Sequence, residues 1–133
     1  MKLITWNVPW FCGLDEVVSV ERVLQEARAM ADLDVPCLQE VAIDDTHLTG
    51  DAGFDPATRV RELLPGYEVR FGAALDELGC HGRRQCFGNL IASRLPVAHV
   101  PHHALTYPAD GRVRSMPRMC TMATLLTPSG RCA

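Results

Sequence analysis

The stretch from Lys2 to Val41 constrains the fold more than any other part of this chain. Residues 2–8 (KLITWNV) are apolar and β-prone, and Pro9 stops them. They read as a buried strand that ends on a polar amide, Asn7. "PWFCGL" then turns the chain at Gly13. Asp15 stands where an N-cap belongs, ahead of a helix expected over about 16–32. Val17, Val20, Leu24, Ala27 and Ala31 fall on one face of that helix; Glu21, Arg22, Gln25 and Arg28 take the other. "DVPCLQEV", residues 34–41, is a second apolar run that again ends in polar groups. Strand, amphipathic helix and strand make a βαβ unit, whose crossover is nearly always right-handed and whose strands run parallel. The carboxyl ends of both strands then share one edge of the sheet. Asn7 and Glu40 occupy those two ends, on the edge where open α/β sheets bind ligands.

The remainder continues the alternation of elements. Residues 42–54 are polar, contain glycine and read as a loop. A short helix is expected over about 56–64, with Pro56 at its first position and Val60, Leu63 and Leu64 inward. "YEVRFGAAL" alternates as a strand, and "ELGCHGRRQC", 77–86, reads as a loop. "FGNLIASR", "PVAHVPHHAL" and "MCTMATLLT" read as three consecutive antiparallel strands joined by short polar turns. There is no internal repeat, low-complexity tract or interdomain linker.

Composition narrows the function classes. A chain of 133 residues has the length of one domain and buries a real core. Its net charge of −3 carries no strong basic field, which weighs against a constitutive nucleic-acid binder. It says little against an enzyme that holds a phosphodiester through a metal ion. The six cysteines show no CxxC pair, and read as free thiols of a reducing compartment. No stretch approaches the roughly 18 apolar residues of a membrane span, and residues 1–8 fall short of a signal peptide. The expected location is cytoplasmic.

Three motifs now stand in order: "LITWNV" at 3–8, "PCLQEV" at 36–41 and "FGNLIASRLPV" at 87–97. Together they resemble the endonuclease/exonuclease/phosphatase superfamily, whose members include apurinic endonucleases, pancreatic-type deoxyribonucleases, inositol polyphosphate phosphatases and sphingomyelinases. The resemblance covers nearly the whole chain but only the first half of the family's domain. It implies an α/β fold, a partial four-layer sandwich: one mixed sheet with helices on one face and the second half missing. It also implies a phosphoester hydrolase dependent on a divalent metal, Mg2+ or Mn2+. Glu40 matches the family's metal-ligand glutamate, and Asn7 the asparagine beside the metal and the scissile phosphate. Asn89 matches a supporting asparagine. Arg118, with Arg114, resembles the arginine before the next strand. The family's later Asp-x-Asn motif and C-terminal Asp-His pair, which orient and activate the attacking water, have no counterpart here. Position 9 is Pro where some members carry an acidic residue. Residues 1–133 are therefore expected to be catalytically inert or very weak alone.

The residue types suit that chemistry. A hard cation neutralises the phosphodiester charge and polarises the P–O bond. Mg2+ takes oxygen ligands and keeps several waters, so one or two carboxylates suffice. Asn7 does not titrate, and an amide both donates to a phosphate oxygen and accepts from a metal-bound water at any pH. Plainer readings stand beside these. Asn7 without Glu40 reads as a strand-end cap, and exposed Glu is the rule. Asp44 and Asp45 read as a solvated acidic loop, and Arg83 and Arg84 as a solvated pair or as phosphate contacts. Of the histidines, only His47 falls near the expected edge, as a weak candidate base. Cys80, His81 and Cys86 fit no zinc spacing. The substrate is a phosphoester of nucleic acid, lipid headgroup or small phosphodiester type. The alternative is a non-catalytic remnant or association module that self-associates through an exposed apolar sheet face.

Overall fold

The computed structural model describes residues 1–79, 82–106 and 116–132. Cys80, His81 and Arg114, singled out above, lie outside the described residues. The elements run β1 (Leu3–Asn7), a 3₁₀ turn (Pro9–Phe11), α1 (Val20–Met30), β2 (Val35–Ile43), α2 (Thr46–Thr49), α3 (Pro56–Leu63), β3 (Glu68–Leu78) and β4 (Arg84–Ser93). The short strands β5 (Val97–His99), β6 (His102–Ala104), β7 (Met119–Thr121), β8 (Thr124–Thr127) and β9 (Gly130–Cys132) follow.

The main sheet has the order β1-β2-β4-β3. β1 and β2 are parallel, with Leu3 beside Val35 and Asn7 beside Gln39, as the βαβ reading requires. β4 runs antiparallel to both β2 and β3, so the sheet is mixed. β1 lies at its edge rather than in its interior. Its residues alternate between exposed Leu3, Thr5 and Asn7 and partly buried Ile4 and Trp6.

One face of the sheet carries the helices. Leu38, Val41, Leu90 and Val69 from the strands pack with Val20 and Leu24 of α1 and Ala57 and Val60 of α3. Leu38 and Leu90 are fully buried, which stabilises the fold by about 2 kcal/mol each. The buried face of α1 is Val20, Leu24 and Ala27, the face expected from its periodicity.

Its start differs from the sequence reading. Glu16 has φ +60, which a helix does not accommodate, and Cys12 and Val18 form a β-bridge across the turn. Asp15 is drawn off to Arg22, 2.7 Å away, whose other nitrogen donates to the Val17 carbonyl. Ser19 caps the helix instead, accepting from the Arg22 N–H at 3.2 Å. α3 follows its expected form, with Asp55 as cap and Pro56 in the first turn. The segment read as a loop after Glu40 differs in two ways: β2 extends to Ile43, and α2 adds one helical turn capped by Asp45.

The other face is not bare. Val35 and Ile91 pack beneath Leu125 of β8, with Leu95, Val97 and Ala123 around them. β5, β8 and β9 form a small second sheet, and β6 and β7 a two-stranded ribbon. The segments 97–104 and 119–127 do pair antiparallel, as the sequence suggests, but in two pieces. β4 pairs with neither, so the three-strand meander is corrected. At the amino ends of β1 and β2, beside the carboxyl end of β4, Arg94 binds both Asp32 and Asp34, at 2.8 and 2.6 Å. The Lys2 backbone N–H and then Arg94 hold the Asp34 carboxyl below its ordinary range. This clamp lies at the rim opposite Asn7.

Candidate functional site

A cleft of ≈ 270 Å³ opens at the carboxyl ends of β1 and β2. Asn7, Gln39, Glu40, Asn89 and Arg118 supply its polar lining. The four residues singled out from sequence, Asn7, Glu40, Asn89 and Arg118, thus share one cleft.

Two β-bulges shape it. Leu38 pairs with Leu90, yet Val41 pairs with Gly88, so Gln39 and Glu40 together oppose the single residue Asn89. The extra residue kinks the strand and re-aims a side chain. Glu40 itself has φ +59, a conformation that costs a non-glycine residue roughly 1–2 kcal/mol. Such strain persists only where the surroundings enforce it, and it concentrates at functional sites. On the other side of β4 a second bulge falls at Ala74, between Ala73, paired with Gly88, and Leu75, paired with Phe87. Gly88 sits between the two. A Cβ there would lie 1.9 Å from the Gly72 carbonyl oxygen, so only glycine lets β3 approach.

The ribbon completes the cleft from above. Gly72 leaves room for it, since a Cβ there would meet Thr121 Oγ1 at 2.5 Å and His102 Nδ1 at 2.6 Å. Asn89 Nδ2 donates to the Met119 carbonyl at 2.9 Å and ties β7 to the sheet. Arg118 precedes that strand, and its carbonyl accepts from the Leu105 N–H at 3.0 Å. Asn89 is therefore a positioning residue for the segment that carries Arg118.

Among the described residues the Glu40 carboxylate, the Asn7 amide and the Arg118 guanidinium make no side-chain hydrogen bond or ion pair. Gln39 was passed over in the sequence reading, although it belongs to the "LQE" triplet. Its Nε2 donates to Thr5 Oγ1 and to the Cys37 carbonyl, both at 3.0 Å, which leaves its amide oxygen uncommitted. The donors gathered here are thus hard oxygens with one carboxylate, a set that suits Mg2+ with several retained waters. Among the described residues no three His, Cys, Asp or Glu side chains group as a metal cage.

Other candidates have structural employment. Asp44 accepts from the Gly53 N–H at 2.7 Å and from Arg83 at 2.8 Å, and Arg83 foremost holds its carboxyl low. Asp45 caps α2 through the His47 N–H. Arg84 pairs with Asp76 across β3 and β4 at 2.6 Å. Arg83 and Arg84 are thus solvent-exposed, as one of the two sequence readings has them, and each is held in an ion pair. Among the described residues no histidine lines the cleft, His47 included.

No protein-family model matches the sequence, and no curated protein matches it. Solved structures do match. The crystal structure of endonuclease/exonuclease/phosphatase from Beutenbergia cavernae DSM 12333 superposes with a TM-score of 0.73 and 27% identity, over 97% of this chain and 35% of that one. An endonuclease/exonuclease/phosphatase family protein from Leptotrichia buccalis C-1013-b superposes with a TM-score of 0.62 and 16% identity, over 98% of this chain and 52% of that one. The chain therefore spans about a third and about half of the chains it is similar to. In the described residues no helix is long and apolar enough to cross a membrane.

Proposed function

We propose that this chain, which carries part of an endonuclease/exonuclease/phosphatase fold, supplies one wall of a metal-dependent phosphoesterase site. One observation carries the reading. Glu40 is a half-buried carboxylate without a partner among the described residues, held on a strained bulge, in a cleft that also holds Asn7 and Arg118. A carboxylate is costly to desolvate without a partner. A bound cation would remove that cost.

In this reading Glu40 is the anionic ligand, and the amide oxygens of Asn7 and Gln39 accept from water around the cation. A divalent cation held there neutralises phosphate charge and polarises the P–O bond. Asn7 Nδ2 donates to a phosphate oxygen, and Arg118 places a second positive charge on the substrate side. Asn89 keeps Arg118 in position through Met119.

Mg2+ is expected to raise the melting temperature of the chain, because binding to the folded state stabilises it by about 2.7 kcal/mol at a hundredfold excess over Kd. Glu40→Gln keeps the shape but not the charge, and is expected to abolish the Mg2+ increment. An equal increment in both proteins, read by thermal unfolding with and without EDTA, would overturn the assignment.

A second reading, association with another copy of the chain, is favoured by the open β1 edge and by half-exposed Leu3, at 52%, beside it. It predicts a concentration-dependent dimer in light scattering that a charge at position 3, Leu3→Lys, disperses. A monodisperse monomer at all concentrations removes it.

A further inference from the structure

Besides Gly88, the rest of the described cleft lining is apolar: Ala74, Phe87, Leu105, Pro117 and Met119. Phe87 is 6% exposed, so it offers no face on which a base could stack. Leu105 is 50% exposed and Met119 partly buried, so the accessible apolar wall is aliphatic.

Arg70, Arg83 and Arg84 are held by Glu68, Asp44 and Asp76. Among the described residues Arg118 is the one Lys or Arg that lines the cleft. A polynucleotide presents a phosphate at every step and is held by a succession of cations along a groove. Among its described lining residues this cleft offers one cation beside one carboxylate, then aliphatic carbon.

We propose that the cleft takes a phosphoester with a single phosphate and an apolar, alkyl-like substituent. The phosphate sits by Glu40, Asn7 and Arg118, and the substituent lies on Leu105, Pro117 and Met119. The proposal rests on the phosphoesterase reading for the phosphate end and adds the chemical class of the organic end.

Binding, not turnover, tests it. The 133-residue chain is titrated with dimethyl phosphate, dibutyl phosphate and a short oligothymidylate, each with and without Mg2+, following the methyl signals of Leu105 and Met119 by NMR. Dibutyl phosphate is expected to bind at least about tenfold more tightly than dimethyl phosphate, since each buried CH2 adds roughly a factor of four. Leu105→Ser is expected to reduce that ratio severalfold. Leu105 is half exposed, so the substitution leaves the core untouched. Equal affinities for the two diesters, or a ratio that Leu105→Ser does not change, would overturn the proposal. Tighter and salt-sensitive binding of oligothymidylate would overturn it in favour of nucleic acid. A preserved dibutyl preference with no Mg2+ dependence would instead sink the metal reading and leave the apolar wall standing.

Discussion

Gly88→Ala is expected to unfold most of the protein or to cost at least about 3 kcal/mol of stability, a large share of the roughly 5–15 kcal/mol that a domain has. The added Cβ would lie 1.9 Å from the Gly72 carbonyl oxygen, 2.9 Å from its carbon and 3.0 Å from Ala73 Cα. All three are backbone atoms of the neighbouring strand, so no side chain can turn aside. β3 and β4 would have to part where the bulges at Glu40 and Ala74 flank them. Gly50 is the control: unlike Gly88 it has positive φ, +71, and a Cβ there meets nothing within 4 Å, so Gly50→Ala carries a conformational cost alone, about 1 kcal/mol. Urea unfolding followed by circular dichroism compares the two. A loss below about 1 kcal/mol for Gly88→Ala would mean that the strands are not held this closely.

Hydrolysis by this chain is expected to fall about 10²- to 10⁴-fold below that of a metal phosphoesterase with its general base in place, since a positioned base contributes about that factor. The reason lies in the cleft. Glu40 is the one carboxylate among its described lining residues, and it is assigned to the cation. Among the described residues no histidine lines the cleft, and Asp44 and Asp45 are occupied by Arg83, Gly53 and the cap of α2. The cleft can thus hold a phosphate and polarise it, but nothing described there takes the proton of the attacking water. Release of nitrophenol from a nitrophenyl phosphodiester, with Mg2+ or Mn2+, measures this. Turnover well above background that Glu40→Ala abolishes would contradict it and require a base not recognised in the cleft.

The skeleton of this site was legible because it follows from spacing. An apolar run, an amphipathic helix and a second apolar run put Asn7 and the Gln39–Glu40 pair on neighbouring parallel strands, and the register places Asn7 beside Gln39. Parallel topology alone predicts that juxtaposition. What periodicity could not reveal was the bulge. "LQEV" reads as ordinary alternation, and that reading would send Glu40 to the helix face with Leu38. The doubled residue opposite Asn89 sends it to the cleft. The helix start was misread for a related reason. Asp15 is a good cap by type, but a tertiary ion pair to Arg22 and the bridge between Cys12 and Val18 claimed its neighbourhood, and Ser19 served instead. The seat of the ribbon on the main sheet was not legible, because its anchors are single residues: the missing side chain of Gly72, whose place Thr121 and His102 take, and the bond from Asn89 to Met119. In the sequence "GN" was legible only as a pair; the structure divides the work, with Gly88 admitting β3 and Asn89 fastening β7.

The central claim concerns one cation-binding cleft at the carboxyl ends of β1 and β2. Paramagnetic broadening by substoichiometric Mn2+ tests it most directly, read on the side-chain amides of Asn7, Gln39 and Asn89 and on the backbone of Glu40. The account predicts that these signals broaden together and first, and that excess Mg2+ restores them. Broadening that begins instead at Asp44, Asp51 or Asp76, with the Asn7 and Glu40 signals unaffected, would contradict it.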